Sequence, residues 1–361
     1  MNQKPKIATV VGARPQFVKT SLLSKALEGA GVHEVLIHTG QHYDDTMSAI
    51  FFREMAIPKP QYNLGIGGLS QGAQTGKMLE ALETVLLAEK PQALMVYGDT
   101  NSTLAGALAG AKLQIPIVHI EAGLRCYNRD TPEEINRVLT DHLSEVLFCP
   151  SAIAKDQLKK EGIEKGVHVV GDIMVDCLRT FLPLAQKRNI LKELNLKPGG
   201  YFLATIHRAA NTNNIENLKE ILKAFNHLGA PVVFPVHPRT RPLVEKIIQD
   251  QTEDENLKIL DPVGYLDFLA LEESAQLIIT DSGGIQKEAY ALKVPCLTLR
   301  QETEWTETLQ SGWNRLIAAD CQAILKAVKE VDPRGKPARP YGQGQATQKM
   351  LAILLEHFSS K

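Results

Sequence analysis

The stretch Leu277-Ile278-Ile279-Thr280-Asp281-Ser282-Gly283-Gly284-Ile285-Gln286-Lys287-Glu288 opens with four apolar or β-branched residues, turns at Ser-Gly-Gly and runs on in helix-forming residues. This is the order of a buried strand, a tight turn and a helix entry. The two glycines let backbone N–H groups come close to a diphosphate at the helix N-terminus, where the helix dipole favours an anion. Glu288, about one turn into that helix, stands where a carboxylate accepts hydrogen bonds from the two hydroxyls of a ribose. Gly-Gly at a turn is common. A strand, Ser-Gly-Gly and a helix with Glu one turn on is a far more specific sign of a nucleoside diphosphate.

The same order extends outward in both directions. Tyr201–Ile206, Val232–Val236, Leu257–Leu260 and Cys296–Leu299 read as companion strands in the second half. In the first half Lys6–Val11, Val35–His38, Leu94–Tyr97, Ile117–Ile120, Val146–Cys149 and Val167–Val170 do the same. Helical spacing of apolar residues fills the gaps, as in Gln16–Leu27, Gly76–Glu89 and Ser102–Leu113. Strands alternating with helices predict βαβ units and parallel sheets covered on both faces. The rhythm breaks after a helix expected over Asp172–Glu193, at Leu196-Lys197-Pro198-Gly199-Gly200. Single cores rarely grow past about 250–300 residues, so a chain of 361 favours two domains. The expected fold is therefore α/β: two Rossmann-like, doubly wound parallel-sheet domains, residues 1–175 and 176–344, facing a cleft at the carboxyl ends of their strands. Residues 345–361 are expected to form an apolar amphipathic helix carrying Met350, Leu351, Ile353, Leu354, Leu355 and Phe358.

Composition removes several classes. With 44% hydrophobic and 22% charged residues the chain is not disordered. Forty basic against 41 acidic residues leave a charge of -1, so no global field recruits nucleic acid or an anionic membrane. The five cysteines are scattered, without CxxC spacing, which points to a reducing cytoplasm. The first apolar run predicts no signal peptide, and no stretch approaches the ~18 apolar residues of a membrane span. Neither HExxH nor a close Cys/His group suggests a metal. The first strand ends in Gly12-Ala13-Arg14-Pro15, not GxGxxG, so a nicotinamide or flavin cofactor is not expected. GxxxxGK[ST] and GxSxG are missing as well.

Polar residues gather where the strands end. Arg14 and Lys19 follow the first strand and are expected beside free N–H groups at a helix start, a natural anion site; solvated basic residues are the plain alternative. Asp99 sits in Tyr97-Gly98-Asp99-Thr100-Asn101, where a helix N-cap is the plain alternative. Glu121 and Arg125 close the strand ending His119-Ile120. Glu133 and Glu134 follow Pro132 at a helix start, where they would also favour the helix dipole. Asp99, Glu121 and Glu133 at adjacent strand ends form an acid/base set. In the second half His207 and His237 end strands, His237 between two prolines.

With these residues in view, the chain resembles the non-hydrolysing UDP-N-acetylglucosamine 2-epimerases. The resemblance runs the whole length through eight ordered motifs: GARPQFVK, HTGQHYD, YGDTNST, HIEAGLR, PEEINR, TIHRAANT, PVHPRT and DSGGIQKE. It implies a glycosyltransferase-B-like fold, a UDP-N-acetyl sugar as substrate, no nicotinamide cofactor, a homodimer and a C-terminal helix returning to the first domain. It also implies C2 epimerisation by elimination of UDP to a 2-acetamidoglucal and re-addition, for cell-surface polysaccharide precursors. By matching motifs, Lys19, Asp99, Glu121, Glu133 and His207 take catalytic roles. Arg14, Ser282, Gly283 and Gly284 bind the diphosphate, Glu288 binds the ribose, and Arg125 and His237 join the substrate-binding set.

Within the family, Glu302-Thr303-Glu304-Trp305 replaces the TERPE string of many bacterial members and is more similar to a branch that includes enzymes acting on UDP-2,3-diacetamido-2,3-dideoxy-glucuronate. Gly40-Gln41-His42-Tyr43-Asp44-Asp45 departs from the GQHRxM-type segment that forms part of a second, activating site in the bacterial UDP-GlcNAc members. The expected substrate leans toward this uronate type, which needs an added cation, for which Arg125 and Arg129 are the candidates. Competing activities are a hydrolysing epimerase, a glycosyltransferase of the same fold and a silent UDP-sugar-binding protein.

Overall fold

The computed structural model describes residues 5–41, 52–236, 240–249, 256–310, 312–331, 333 and 338–358. Thirteen strands are described: β1 (Lys6–Val11), β2 (His33–His38), β3 (Tyr62–Asn63), β4 (Ala93–Tyr97), β5 (Ile117–Ile120), β6 (Val146–Cys149), β7 (Val167–Val169), β8 (Phe202–Thr205), β9 (Val232–Pro235), β10 (Leu257–Leu260), β11 (Leu277–Thr280), β12 (Cys296–Thr298) and β13 (Asn314–Leu316). They form two sheets, ordered β3-β2-β1-β4-β5-β6-β7 and β10-β9-β8-β11-β12-β13. Every pairing is parallel, from Ile7 opposite Ala93 to Thr280 opposite Thr298. This is the doubly wound α/β fold, with one order reversal between β1 and β4 and another between β8 and β11.

The chain divides into two compact units, Met1–Arg179 with Pro340–Lys361, and Thr180–Arg339. The boundary lies within the helix Ile173–Ala185. The single helix expected over Asp172–Glu193 is instead two, Ile173–Ala185 and Ile190–Glu193. Polar Gln186, Lys187, Arg188 and Asn189 separate them and offer no apolar face to bury.

Continuous apolar strands fit the sheet interiors. All five residues of β4 and all four of β5 are buried, as a parallel sheet covered on both faces requires. In the first unit Val10, Ile37, Val96, Leu82 and Ala105 share one core; in the second, Phe225, Phe234, Leu222, Ile279 and Leu297 share another. The last helix, Ala346–Phe358, packs in the first unit against Arg14–Gly29, with Met350, Leu354 and Phe358 buried at four-residue spacing. Asp176 takes the N–H groups of Ala346 and Thr347 at 3.1 and 2.8 Å, which satisfies the helix start. No helix among the described residues is long and apolar enough to cross a membrane.

Candidate active site

Lys19, Asp99 and Glu121 lie where the first sheet reverses, beyond the ends of β1, β4 and β5. Open α/β sheets bind ligands at this kind of position. Lys19, in the helix Arg14–Gly29, brings Nζ to 2.6 Å from Glu121 Oε2, and the two side chains are only 6% and 9% exposed. Glu121 holds a left-handed backbone, φ 75°, which costs a residue with a Cβ roughly 1–3 kcal/mol. The neighbours make up for it. The N–H groups of Glu121 and Ala122 both donate to Phe148 O, at 3.1 and 3.0 Å. Gly98, with φ 63°, passes beside this pair; a Cβ on it would lie 3.6 Å from Glu121 Oε1.

Asp99 is not the cap of the helix that follows. Thr100 is, its side chain accepting the Thr103 N–H at 3.3 Å. Asp99 Oδ2 instead meets Arg137 Nη2 at 2.5 Å, while Arg137 Nη1 donates to Glu134 Oε2 at 2.8 Å. Glu134 also takes the N–H groups of Cys126 and Tyr127 at 3.0 and 2.8 Å, so it ties down the loop after Glu121. Glu133, half-buried, lies beside Glu134 in the first turn of the helix Pro132–Leu143. The sequence motif contained Arg137 and Glu134 without marking them as site residues; spacing along the chain does not reveal that Arg137 spans 38 positions to Asp99.

The turn just ahead of the helix Arg14–Gly29 is fastened by Gln16. Gly12 and Ala13 N–H donate to Gln16 Oε1 at 2.7 and 3.0 Å, and Gln16 Nε2 bonds Tyr97 O at 2.8 Å, fastening this turn to the next. Arg14 begins that helix and is half-buried, whereas Lys19 pairs with Glu121. One expectation is corrected: Arg125 is not brought to the carboxylates. Its side chain is fully buried, with Nη1 at 2.7 Å from Asp141 and Nε and Nη2 each at 2.7 Å from Glu161. Such a forked, desolvated pairing leaves no guanidinium edge for a substrate.

The second sheet reverses between β8 and β11, and there His207, Asp281 and the Ser-Gly-Gly turn come together. Asp281 is fully buried and accepts the N–H groups of His207 and Arg208 and the Asn211 amide, each at 3.0 Å. His207 Nδ1 lies 3.2 Å from its Oδ1, and the ring is 48% exposed. Asp281 thus orients His207, a role that the motif alone did not assign. Ser282 takes the N-cap position of the helix Gly283–Leu292. A Cβ at Gly283 would come within 2.3 Å of Glu304 Oε1, whereas one at Gly284 would meet nothing within 4 Å. The Glu302–Trp305 string therefore packs on the turn: Glu304 pairs with Arg300 at 2.9 Å and Lys287 Nζ stands 4.1 Å over the Trp305 ring. Glu288 is buried beside the fully buried Glu272, whose carboxyl is pushed well above its usual range by burial and then by Glu288. His237 and residues 42–45 lie outside the described residues. Among the described residues, no group of three His, Cys, Asp or Glu side chains is disposed to hold a metal ion.

A profile of the family described as UDP-N-acetylglucosamine 2-epimerase matches residues 25–355. The chain belongs to the UDP-N-acetylglucosamine 2-epimerase family. A Methanococcus maripaludis protein named UDP-N-acetylglucosamine 2-epimerase homolog is 51% identical over 97% of this chain and 99% of its own. The UDP-2,3-diacetamido-2,3-dideoxy-D-glucuronate 2-epimerase of Pseudomonas aeruginosa is 45% identical over 97% and 99%. Among solved structures, the UDP-GlcNAc 2-epimerase of Methanocaldococcus jannaschii in complex with UDP-GlcNAc and UDP superposes with a TM-score of 0.91 at 44% identity, covering 98% of this chain and 100% of that one. The relatives of this family member are thus UDP-sugar 2-epimerases, which are isomerases, and its fold is the glycosyltransferase-B-like fold of its structural neighbours.

Proposed function

We propose that this family member inverts C2 of a UDP-N-acetylhexosamine without releasing the free sugar, by eliminating UDP and adding it back. The C2 hydrogen of such a sugar is not acidic. Cleavage of the anomeric C–O bond sends its electron pair out with UDP and leaves an oxocarbenium-like centre that acidifies C2. A carboxylate takes the C2 proton, and the C–H pair closes the double bond of a 2-acetamidoglucal. Protonation of C2 on the opposite face and return of UDP to C1 give the epimer.

In this reading the first unit supplies acid and base groups from Asp99, Glu121 and Glu133, with Lys19 and Arg137 holding two of them. The N–H groups of Ser282–Gly284, together with Arg14 and His207, stabilise the leaving diphosphate, and Glu288 holds the ribose. The observation that most supports it is the adjacency of two carboxylate–cation pairs, Lys19–Glu121 and Arg137–Asp99, at one sheet reversal.

We take UDP-N-acetylglucosamine as the substrate. A sugar with a C6 carboxylate needs a cation; of the two candidates Arg125 is committed to Asp141 and Glu161, which leaves Arg129 alone, exposed on the loop. Product analysis with UDP-GlcNAc as sole substrate tests the reaction: UDP-ManNAc is expected, whereas free ManNAc, or no product from either this sugar or the diacetamido-uronate, contradicts it. A higher kcat/KM for UDP-2,3-diacetamido-2,3-dideoxy-glucuronate would overturn the choice of sugar and keep the reaction.

A further inference from the structure

His119 lies in β5, fully buried, two residues before Glu121. Its Nε2 is 2.7 Å from Gly98 O and its Nδ1 is 2.6 Å from Asp141 Oδ1. A carbonyl oxygen only accepts, so Nε2 carries the hydrogen of the first bond. Burial pushes the Asp141 carboxyl up, but His119 and then Arg125 outweigh it and hold it below the usual carboxylate range. Asp141 thus holds the ring from its Nδ1 side. Its second oxygen takes Arg125 Nη1 at 2.7 Å and the Gly123 N–H at 3.1 Å, so one carboxylate anchors His119 and the loop beyond Glu121.

Both polar groups of Gly98 are fixed from β5. Its N–H donates to Ile120 O at 2.9 Å, and its carbonyl receives His119. With φ 63° this residue turns the chain from β4 into Asp99, and its Cα faces Glu121 and Lys19. We propose that His119 is a positioning residue: through the Gly98 carbonyl it sets the turn that presents Asp99 beside the Lys19–Glu121 pair, without touching substrate. The proposal rests on the reading of Asp99 and Glu121 as acid/base groups.

Two amides separate this role from simple core filling. The Nε2 of Gln reaches where the imidazole Nε2 stands and keeps the bond to Gly98; the Nδ2 of Asn mimics Nδ1 and keeps only the bond to Asp141. His119→Asn is expected to lower kcat about 100-fold with KM little changed, the scale of a misplaced reacting group. His119→Gln is expected to retain most of kcat, whatever the order of the two melting temperatures. Equal loss in both, or a kcat that simply follows the melting temperature, would overturn the proposal. A second measurement needs no variant. In the unmodified protein labelled with ¹⁵N-histidine, the His119 Nε2 hydrogen is expected to resist exchange with solvent, and a freely exchanging one overturns the proposal. Asp99→Asn run alongside separates the two claims. Loss of turnover there with normal turnover in His119→Asn removes His119 alone; normal turnover in Asp99→Asn removes the underlying reading as well.

Discussion

From a left-handed backbone at φ 75°, Glu121 reaches Lys19 Nζ at 2.6 Å with both side chains almost out of solvent. The strain and the burial act on the same residue, which in the proposed function is also an acid/base group. A strained non-glycine residue persists only where its surroundings over-determine it, and such residues cluster at functional sites. Removing one partner of a buried ion pair leaves a desolvated charge, typically at a cost of roughly 3–5 kcal/mol. Lys19→Met and Glu121→Gln are each expected to destabilise on that scale, and the double variant to cost clearly less than their sum. A denaturant double-mutant cycle measures the coupling, and additive losses would show that the pair does not act as a unit.

Asp99 is different because its side chain is 27% exposed and Thr100, not Asp99, caps the helix. Asp99→Asn is therefore expected to lower kcat by about 10² or more while the melting temperature nearly holds. A large drop in stability with intact turnover would make Asp99 a structural residue.

Gly284 opens on space and does not need a positive φ. Alanine there suits a helix first turn, so Gly284→Ala is expected to hold or slightly raise stability, by up to about 1 kcal/mol. The added methyl occupies the place where we put the diphosphate, so UDP affinity is expected to fall about tenfold, near 1.4 kcal/mol. Calorimetry showing unchanged UDP affinity would take the diphosphate away from this turn.

Glu272 gives a pH dependence whose sign follows from burial. Its folded carboxyl titrates well above the ordinary 4.5, so between these values the folded state keeps a proton that the unfolded chain has lost. Its contribution is fully present below the unfolded value and declines as pH rises through the folded one. Glu272→Gln removes that decline. The melting temperature of the variant relative to the parent is expected to climb from pH 5 to pH 8, and a flat difference would mean that Glu272 is ionised in the folded protein.

Much of this arrangement was readable in the residues, and the exceptions have physical causes. Lys6–Val11, Ile117–Ile120 and Leu277–Thr280 announce themselves because strands buried on both faces are unbroken apolar runs. The edge strands Tyr62–Asn63 and Asn314–Leu316 do not, being two and three residues long with polar members. Strand ends pointed to Asp99, Glu121 and His207, since side chains there face the ligand position of this topology. Which partner each would find was hidden. Arg125 looked available from its loop, yet Asp141 and Glu161 claim it from 16 and 36 positions away. Gln16 looked like an ordinary helical residue, yet it takes the Gly12 and Ala13 amides and fastens the turn ahead of its helix. Local pattern reports which face a residue is on; long-range pairing reports what is left for a ligand.

The elimination route makes one direct claim about the epimer itself: the hydrogen at C2 of UDP-ManNAc comes from a protein acid that exchanges with solvent. Incubation of the enzyme with UDP-GlcNAc in D₂O, read by NMR and mass spectrometry of the product, tests it directly. One deuterium at C2 of UDP-ManNAc is expected, with traces of free UDP and 2-acetamidoglucal accumulating on long incubation. Epimer formed at a normal rate with ordinary hydrogen at C2 would contradict the account.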